Sequence, residues 1–311
     1  MFSIIIPLYN KENTIENTVK SVLNQSFKNF ELIIINDGST DHSLEKILKF
    51  KDFRIKIKST ENKGVSQARN LGIEKATQPY IAFLDADDIW KNNHLEVLKN
   101  LILDYPNAGL YATKYKFIYD NGHQIIPFFI DITKDFRGTV PNFFKSSAVY
   151  RIAWTSCVCV PKNILDIIGI FDEEITLGAG EDTDLWTRIA IKYPVAIDSK
   201  ITSIYNFEGE NHLSNEKIEK KKYAKYDKLY AEEKENIWLK KFLDRERAEF
   251  ALKHKRIKKY ELFQFYYNHL SLKNLNWKII VLLHLPSFLL NILYKFKHKM
   301  GFFVKYFDLY R

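Results

Sequence analysis

Four short β-rich runs, Ser3–Ile6, Glu31–Ile35, Arg54–Lys58 and Tyr80–Leu84, are separated by stretches of helical period, and this alternation constrains the chain more than any other feature. Strands alternating with helical spans give βαβ units and a mostly parallel sheet, with right-handed crossovers as the default. Between the first two runs Ile15, Val19, Val22 and Leu23 recur at helical spacing. Between the second and third, Asp41 is placed to cap a helix whose apolar face is Leu44, Ile47 and Leu48. From about residue 105 to 210 the pattern is more mixed, with a strand expected at Thr155–Val160 and an acid-led helix from near Glu181, so this stretch reads as the second half of the same domain. Residues 216–260 contain no Pro or Gly and predict long helices, which puts the domain boundary near Asn211–Glu216.

With 311 residues, 46% hydrophobic and 27% charged, the chain is long enough for a catalytic domain plus an appendage, and disordered or low-complexity classes are excluded. Cys157 and Cys159 are its two cysteines, too few for a disulfide framework or a zinc site, which points to a reducing compartment. The start, MFSIIIPLYN, has no basic stretch before its apolar run and is not expected to be a signal peptide; a cytosolic location, or the cytosolic face of a membrane, follows.

The net charge of +9 suggests nucleic acid until its distribution is considered. Residues 211–311 carry 23 Lys and Arg against 11 Asp and Glu, whereas residues 1–210 carry 24 against 27, so the basicity belongs to the tail. Within that tail WKIIVLLHLPSFLLNILY, Trp277–Tyr294, is apolar but interrupted by His284, Pro286 and Asn291, and short of the roughly 20 apolar residues a membrane span needs. An interfacial segment over 277–303 is expected instead. Lys278, Lys295, Lys297 and Lys299 would meet anionic headgroups, and Trp277, Phe288, Tyr294, Phe296, Phe302 and Phe303 the acyl boundary. The alternative is a helical hairpin packed on the protein's own core.

Ligands of open α/β sheets bind beyond the carboxyl ends of the strands. Three polar clusters follow the runs there: Pro7-Leu8-Tyr9-Asn10, Asn36-Asp37-Gly38-Ser39-Thr40-Asp41 and Asp85-Ala86-Asp87-Asp88, all expected on one edge of the sheet. Asp37-Gly38 can be a plain turn and Asp41 a plain cap. At a strand end the same Asp can accept hydrogen bonds from a base or ribose, while the Gly lets backbone approach a ligand. Three carboxylates at Asp85, Asp87 and Asp88 repel one another unless a helix N-terminus or a cation compensates them. The choice lies between an acidic first turn for a helix starting near Lys91 and a nucleotide–metal site, because Asp85 and Asp87 project to the same side of an extended segment. Hard oxygen ligands suit Mg2+ or Mn2+ rather than zinc. Glu181-Asp182 with Asp184, after Gly178-Ala179-Gly180, is either a capped helix start or the source of a general base for a hydroxyl nucleophile. Trp154 and the Cys157–Val160 run are either core or in part an acceptor-facing wall, and Trp186 is open to the same two readings.

Taken together, IIIPLYNKENTI, ELIIINDGSTD, NKGVSQARNLGI, YIAFLDADD, the IIGIFDEE segment and GEDTDLWTRIA resemble, in order and spacing, glycosyltransferase family 2, the inverting nucleotide-sugar transferases of GT-A fold. The resemblance covers roughly residues 1–212. It implies a Rossmann-like α/β domain with a mostly parallel central sheet, a nucleotide-sugar half at about 1–120 and an acceptor half at about 121–212; the helical, basic region read from composition and charge then occupies 213–311. It also implies that Pro7, Tyr9 and Asp37, with Arg69 and Lys63, form the base pocket, and that Asp85 holds the ribose side. Asp87 would bind Mn2+ or Mg2+ on the diphosphate, with His212 completing the metal shell. Asp182 would be the catalytic base, Glu181 would support the acceptor, and Trp154 is expected on the acceptor side. UDP is the implied nucleotide, and a growing cell-surface glycan on a lipid carrier the implied acceptor.

Other classes fit less well. No G-x-G-x-x-G follows the first run, and no G-x-x-x-x-G-K-[ST] exists, which removes the Rossmann dehydrogenases and P-loop enzymes. Nucleic acid is not an expected partner, since the apolar segment beside the basic tail is better explained by lipid. A non-catalytic membrane-associated scaffold would have no need of both Asp87 and Asp182.

Overall fold

The computed structural model describes residues 1–119, 122–206 and 217–299. The first half runs β1 (Phe2–Leu8), α1 (Ile15–Leu23), β2 (Phe30–Asp37), α2 (Ser43–Leu48), β3 (Ile55–Thr60), α3 (Val65–Lys75) and β4 (Tyr80–Phe83). Strands β3, β2, β1 and β4 pair in that order, all parallel. β1 and β2 read as near-continuous apolar runs because both of their faces are covered. Ile5, Ile33 and Ile35 enter one core layer, and Phe2, Ile4, Ile6 and Ile34 the other. Helix α3 lies so close to β1 that a Cβ on Gly72 would sit 2.5 Å from an Ile5 methyl, so only glycine fits there.

The second half adds β5 (Ile89–Trp90), α4 (His94–Asp104), β6 (Leu110–Ile118), β7 (Gln124–Ile125), β8 (Arg137–Thr139), α5 (Phe143–Ser146), β9 (Val158–Pro161), α6 (Lys162–Ile168), α7 (Glu181–Lys192) and β10 (Val195–Asn206). The sheet continues from β4 through β9, β6 and β10 to β5; β9 and β5 are antiparallel to their neighbours, and β6 and β10 parallel to each other. This is the α/β, mostly parallel arrangement expected from the sequence.

Three local expectations need correction. The strand expected over Thr155–Val160 is a 3-10 turn at Thr155–Cys157 followed by β9, because Ser156 is held crosswise: its carbonyl accepts the Trp90 indole N–H at 2.6 Å and its hydroxyl the Asp85 N–H at 3.0 Å. The helix expected near Lys91 begins at His94, since the Lys91 N–H donates to the Thr202 carbonyl beside β5. In α2 only Ile47 of the expected apolar face is buried, and Leu48 is 52% exposed. Cys157 and Cys159 are wholly buried, and burial pushes both thiols up, Cys157 to about 12, so both belong to the core. Trp186 is core as well, packed against Phe83 and Phe171.

The C-terminal region contains α8 (Tyr230–Glu235), α9 (Ile237–Arg256), α10 (Tyr260–Asn268), α11 (Trp277–His284) and α12 (Ser287–Lys299). Its buried residues Leu239, Phe242, Leu243, Phe250 and Ala251 belong to the same hydrophobic cluster as Phe144, Ala179 and Trp186. Arg151 clamps α9 to the sheet domain by donating to both Glu246 carboxylate oxygens, at 2.7 and 2.6 Å. The sequence boundary near Asn211–Glu216, like residues 300–303 of the apolar segment with Phe302 and Phe303, lies outside the described residues. Among the described residues no helix is long and apolar enough to cross a membrane.

Candidate active site

The carboxyl ends of β1, β2 and β4 open into a cleft of about 380 Å3, closed on the far side by the start of α7 and by α9. Each loop around it is fixed by polar contacts. Thr18 of α1 donates to the carbonyls of Ala86 and Asp88 at 3.0 and 2.9 Å, which holds the Asp85–Asp88 turn against α1. Asn10 accepts the Thr40 N–H at 2.8 Å and links the loops after β1 and β2.

Pro7, Tyr9 and Asp37 line one end of the cleft together. The Asp37 carboxylate accepts the backbone N–H of Lys63 and of Gly64, both at 2.8 Å, so it shapes the loop that walls this end. Gly38 allows that approach: at φ +71°, any Cβ would lie 2.8 Å from the Asn62 nitrogen. Lys63 contributes through its backbone; its side chain is exposed and is not part of the cleft lining.

Arg69, on α3, lies deeper than the sequence reading placed it. Its Nη2 donates to Asp85 Oδ1 at 2.7 Å and its Nη1 to Glu181 Oε1 at 3.3 Å, so one buried guanidinium ties the β4 loop to α7. Burial disfavours its charge, but Asp85 and Glu181 more than offset this and raise its pKa. The next residue, Asn70, donates to the Phe171 carbonyl and Glu173 at 2.9 Å, which explains the position of the IIGIFDEE segment.

Glu181 and Asp182 open α7, where the helix N-terminus favours carboxylates. Glu181 is buried, and burial followed by the charge on Asp182 pushes its carboxyl up to about 7. Its Oε2 and the Arg69 Nε are buried and find no hydrogen-bond partner among the described residues, and both residues line the cleft. Asp182 lines the cleft, accepting the Thr183 N–H at 2.6 Å and the Thr155 hydroxyl at 3.3 Å. Trp154 borders the same space.

Asp85 and Asp87 both line the cleft, whereas Asp88 is fully buried beneath it. Asp87 pairs with the Lys11 Nζ at 2.6 Å, so the site already carries positive charge against this carboxylate. Two carboxylates in one cleft fit a hard divalent cation. Among the described residues no three His, Cys, Asp or Glu side chains are grouped to enclose a metal, so such a cation would take its other ligands from diphosphate oxygens and water. His212 lies outside the described residues.

The cleft also contains residues that sequence reasoning did not single out: Lys11, Arg151, and from α9 Glu246, Glu249, Phe250 and Lys253. Lys11 was within reach, since it follows the first polar cluster directly. The α9 residues carry no motif and lie far along the chain.

Residues 3–165 match the family model described as glycosyl transferase family 2. Over 214 residues, 67% of this chain, the protein is 34% identical to an uncharacterized glycosyltransferase of Rickettsia bellii, of which the match spans 29%. It is also 34% identical, over 66% of its length, to the Escherichia coli UDP-Glc:alpha-D-GlcNAc-diphosphoundecaprenol beta-1,3-glucosyltransferase WfaP, of which 76% is covered. The match spans about a third of the length of the Rickettsia relatives. In fold the chain resembles S. aureus TarS 1-349 in complex with UDP-GlcNAc, with a TM-score of 0.60 at 20% identity over 81% of this chain and 72% of that one.

Proposed function

The chain belongs to glycosyl transferase family 2, and from that premise we propose that it moves a sugar from a UDP-linked donor to a hydroxyl of a surface glycan or lipid-linked saccharide, with inversion. The observation that carries this reading is the double pairing of Arg69, which sets Asp85 of the donor side and Glu181 of the acceptor side around one guanidinium. The printed names of the relatives support the substrates: WfaP takes UDP-Glc and a diphosphoundecaprenol-linked GlcNAc, and TarS was crystallised with UDP-GlcNAc.

In this reading Pro7, Tyr9 and the Asp37-supported loop bind the base, and Asp85 orients the ribose. Asp182 takes the proton of the acceptor hydroxyl as that oxygen bonds to the anomeric carbon; the bond to the diphosphate breaks on the opposite face, and its electron pair leaves with UDP. Asp87, with Asp85 beside it, would hold Mn2+ or Mg2+. Such a cation, when bound, offsets the charge that develops on the leaving diphosphate.

The test is thermal stability of the purified protein against UDP, GDP, CMP, dTDP and NAD, each with and without Mn2+. A ligand at a hundred times its Kd stabilises the folded state by about 2.7 kcal/mol. The expected result is a rise in Tm with UDP that requires Mn2+ and is lost in Asp87→Asn. No response to any nucleotide would remove the donor site from this reading.

We also place the chain at the cytosolic face of a membrane. Trp277, Phe288, Ile292 and Phe296 on α11 and α12 are 57–69% exposed, an apolar strip beside Lys278 and Lys295. The protein is expected to float with phosphatidylglycerol vesicles and less with phosphatidylcholine. The triple change Trp277→Ala, Phe288→Ala and Ile292→Ala should weaken flotation at least tenfold, because each side chain contributes about 1.5–3 kcal/mol when fully buried. Equal flotation of the two proteins would sink this placement.

A further inference from the structure

Behind the wall formed by Arg151, Trp154, Glu246 and Glu249 lies a second cavity of about 150 Å3, and these four residues line both spaces. It is too small for a nucleotide, since drug-sized ligands occupy sites from about 300 Å3 upward. Tyr115 and Phe117 each contact the Trp154 ring at 5.7 Å, Tyr150 extends this side through Phe117 at 6.4 Å, and from α9 come the planar cation of Arg245 and the carboxylate of Glu249, which pairs with Lys253 at 2.6 Å.

Aromatic faces beside charged hydrogen-bonding groups are the chemistry of saccharide recognition: the C–H face of a pyranose stacks on a ring, and its hydroxyls pair with guanidinium and carboxylate. The Trp154 Nε1–H, in the shared wall, is buried and finds no hydrogen-bond partner among the described residues. The wall also adjoins the reacting end of the cleft, because Thr155, next in sequence to Trp154, donates to Asp182.

We propose that this side pocket is a subsite for a second sugar of the acceptor, so that the protein takes a saccharide of at least two units, one ring at Asp182 and the next across Trp154 in the pocket of Tyr150 and Arg245. The inference rests on the transferase reading and adds the acceptor's length and the site that measures it. Helix α9, beyond the residues that match the family model, supplies the polar half of this subsite.

The test is retention on an array of mono-, di- and trisaccharides of common hexoses and N-acetylhexosamines, with the protein held in UDP and Mn2+. Di- and trisaccharides should be retained at least about tenfold better than their monosaccharides, the factor that one stacking contact of about 1.4 kcal/mol gives. Tyr150→Ala removes the platform, and Val149→Trp adds a large ring to the pocket's lining. Both should erase the preference while the UDP-dependent rise in Tm stays. Tyr150 and Val149 are half-buried, and the same Tm measurement shows that each variant is folded.

A protein that UDP stabilises but that retains monosaccharides equally well, retains no sugar, or keeps its preference in both variants overturns the subsite alone. Absence of any nucleotide response overturns the transferase reading, and the acceptor subsite with it.

Discussion

Asp182→Asn is expected to lower sugar transfer by about a thousandfold while leaving stabilisation by UDP intact. General-base catalysis contributes roughly 10²–10⁴ in rate. The amide oxygen of Asn can still accept the Thr183 N–H, so the start of α7 keeps its shape and only the basic oxygen is lost. The measurement is UDP release from the nucleotide sugar that stabilises the protein, in the presence of acceptor, alongside the Tm shift with UDP. Wild-type turnover in this variant would remove Asp182 from the role of base.

Arg69→Met is expected to cost about 3–5 kcal/mol, the usual consequence of removing one partner from a buried ion pair. Asp85 and Glu181 lose their common cation at once, and Glu181 is the more deeply buried of the two. The loss should grow with pH. The folded-state pKa of Glu181, about 7, lies above its ordinary 4.5, so the folded protein binds the extra proton. The stability this contributes is complete below about pH 4.5 and is lost as pH rises to 7. Without Arg69 the carboxyl moves higher still, and the folded variant goes on paying for that proton above pH 7, where the wild type has already ionised. The Tm gap between wild type and Arg69→Met should therefore be wider at pH 8 than at pH 5, and adding Glu181→Gln to both proteins should level it. A gap independent of pH would show that Glu181 does not depend on Arg69.

What was legible in the sequence is what local patterning controls. Unbroken Ile runs announced the central parallel strands, and acidic clusters just after them announced the rim of the cleft. Long-range partners were not legible: Arg69 and Glu181 are 112 residues apart, and only the packing of α3 on β1 and β2, which brings Arg69 to the start of α7, explains why that arginine faces the middle of the site. The strand expected at Thr155 failed for a similar reason, because Trp90 and Asp85, remote in sequence, hold Ser156 in a turn. The long helix itself was expected, but the place of α9 in the cleft was the largest omission. It meets the domain through apolar residues such as Phe242 and Phe250 and one ion pair, Glu246 with Arg151, while Asp244 and Arg247 pair with Lys240 and Glu233 inside the C-terminal region; so rich in charge, the helix looked like an appendage.

The docking of α9 also sets the order in which the cleft can be completed as the chain is synthesised. The strands and loops that carry Tyr9, Asp37 and Asp87 leave the ribosome first and can pair locally, while the wall that carries Glu246 and Phe250 emerges well over a hundred residues later. Until then Phe144 and Arg151 lack the helix that covers them, and the nascent domain shows an apolar face with an unmatched arginine in it. Docking of α9 is then both a late folding event and the moment at which the cleft acquires its second side, so a newly made chain gains the end lined by Tyr9 and Asp37 before it can hold anything opposite it.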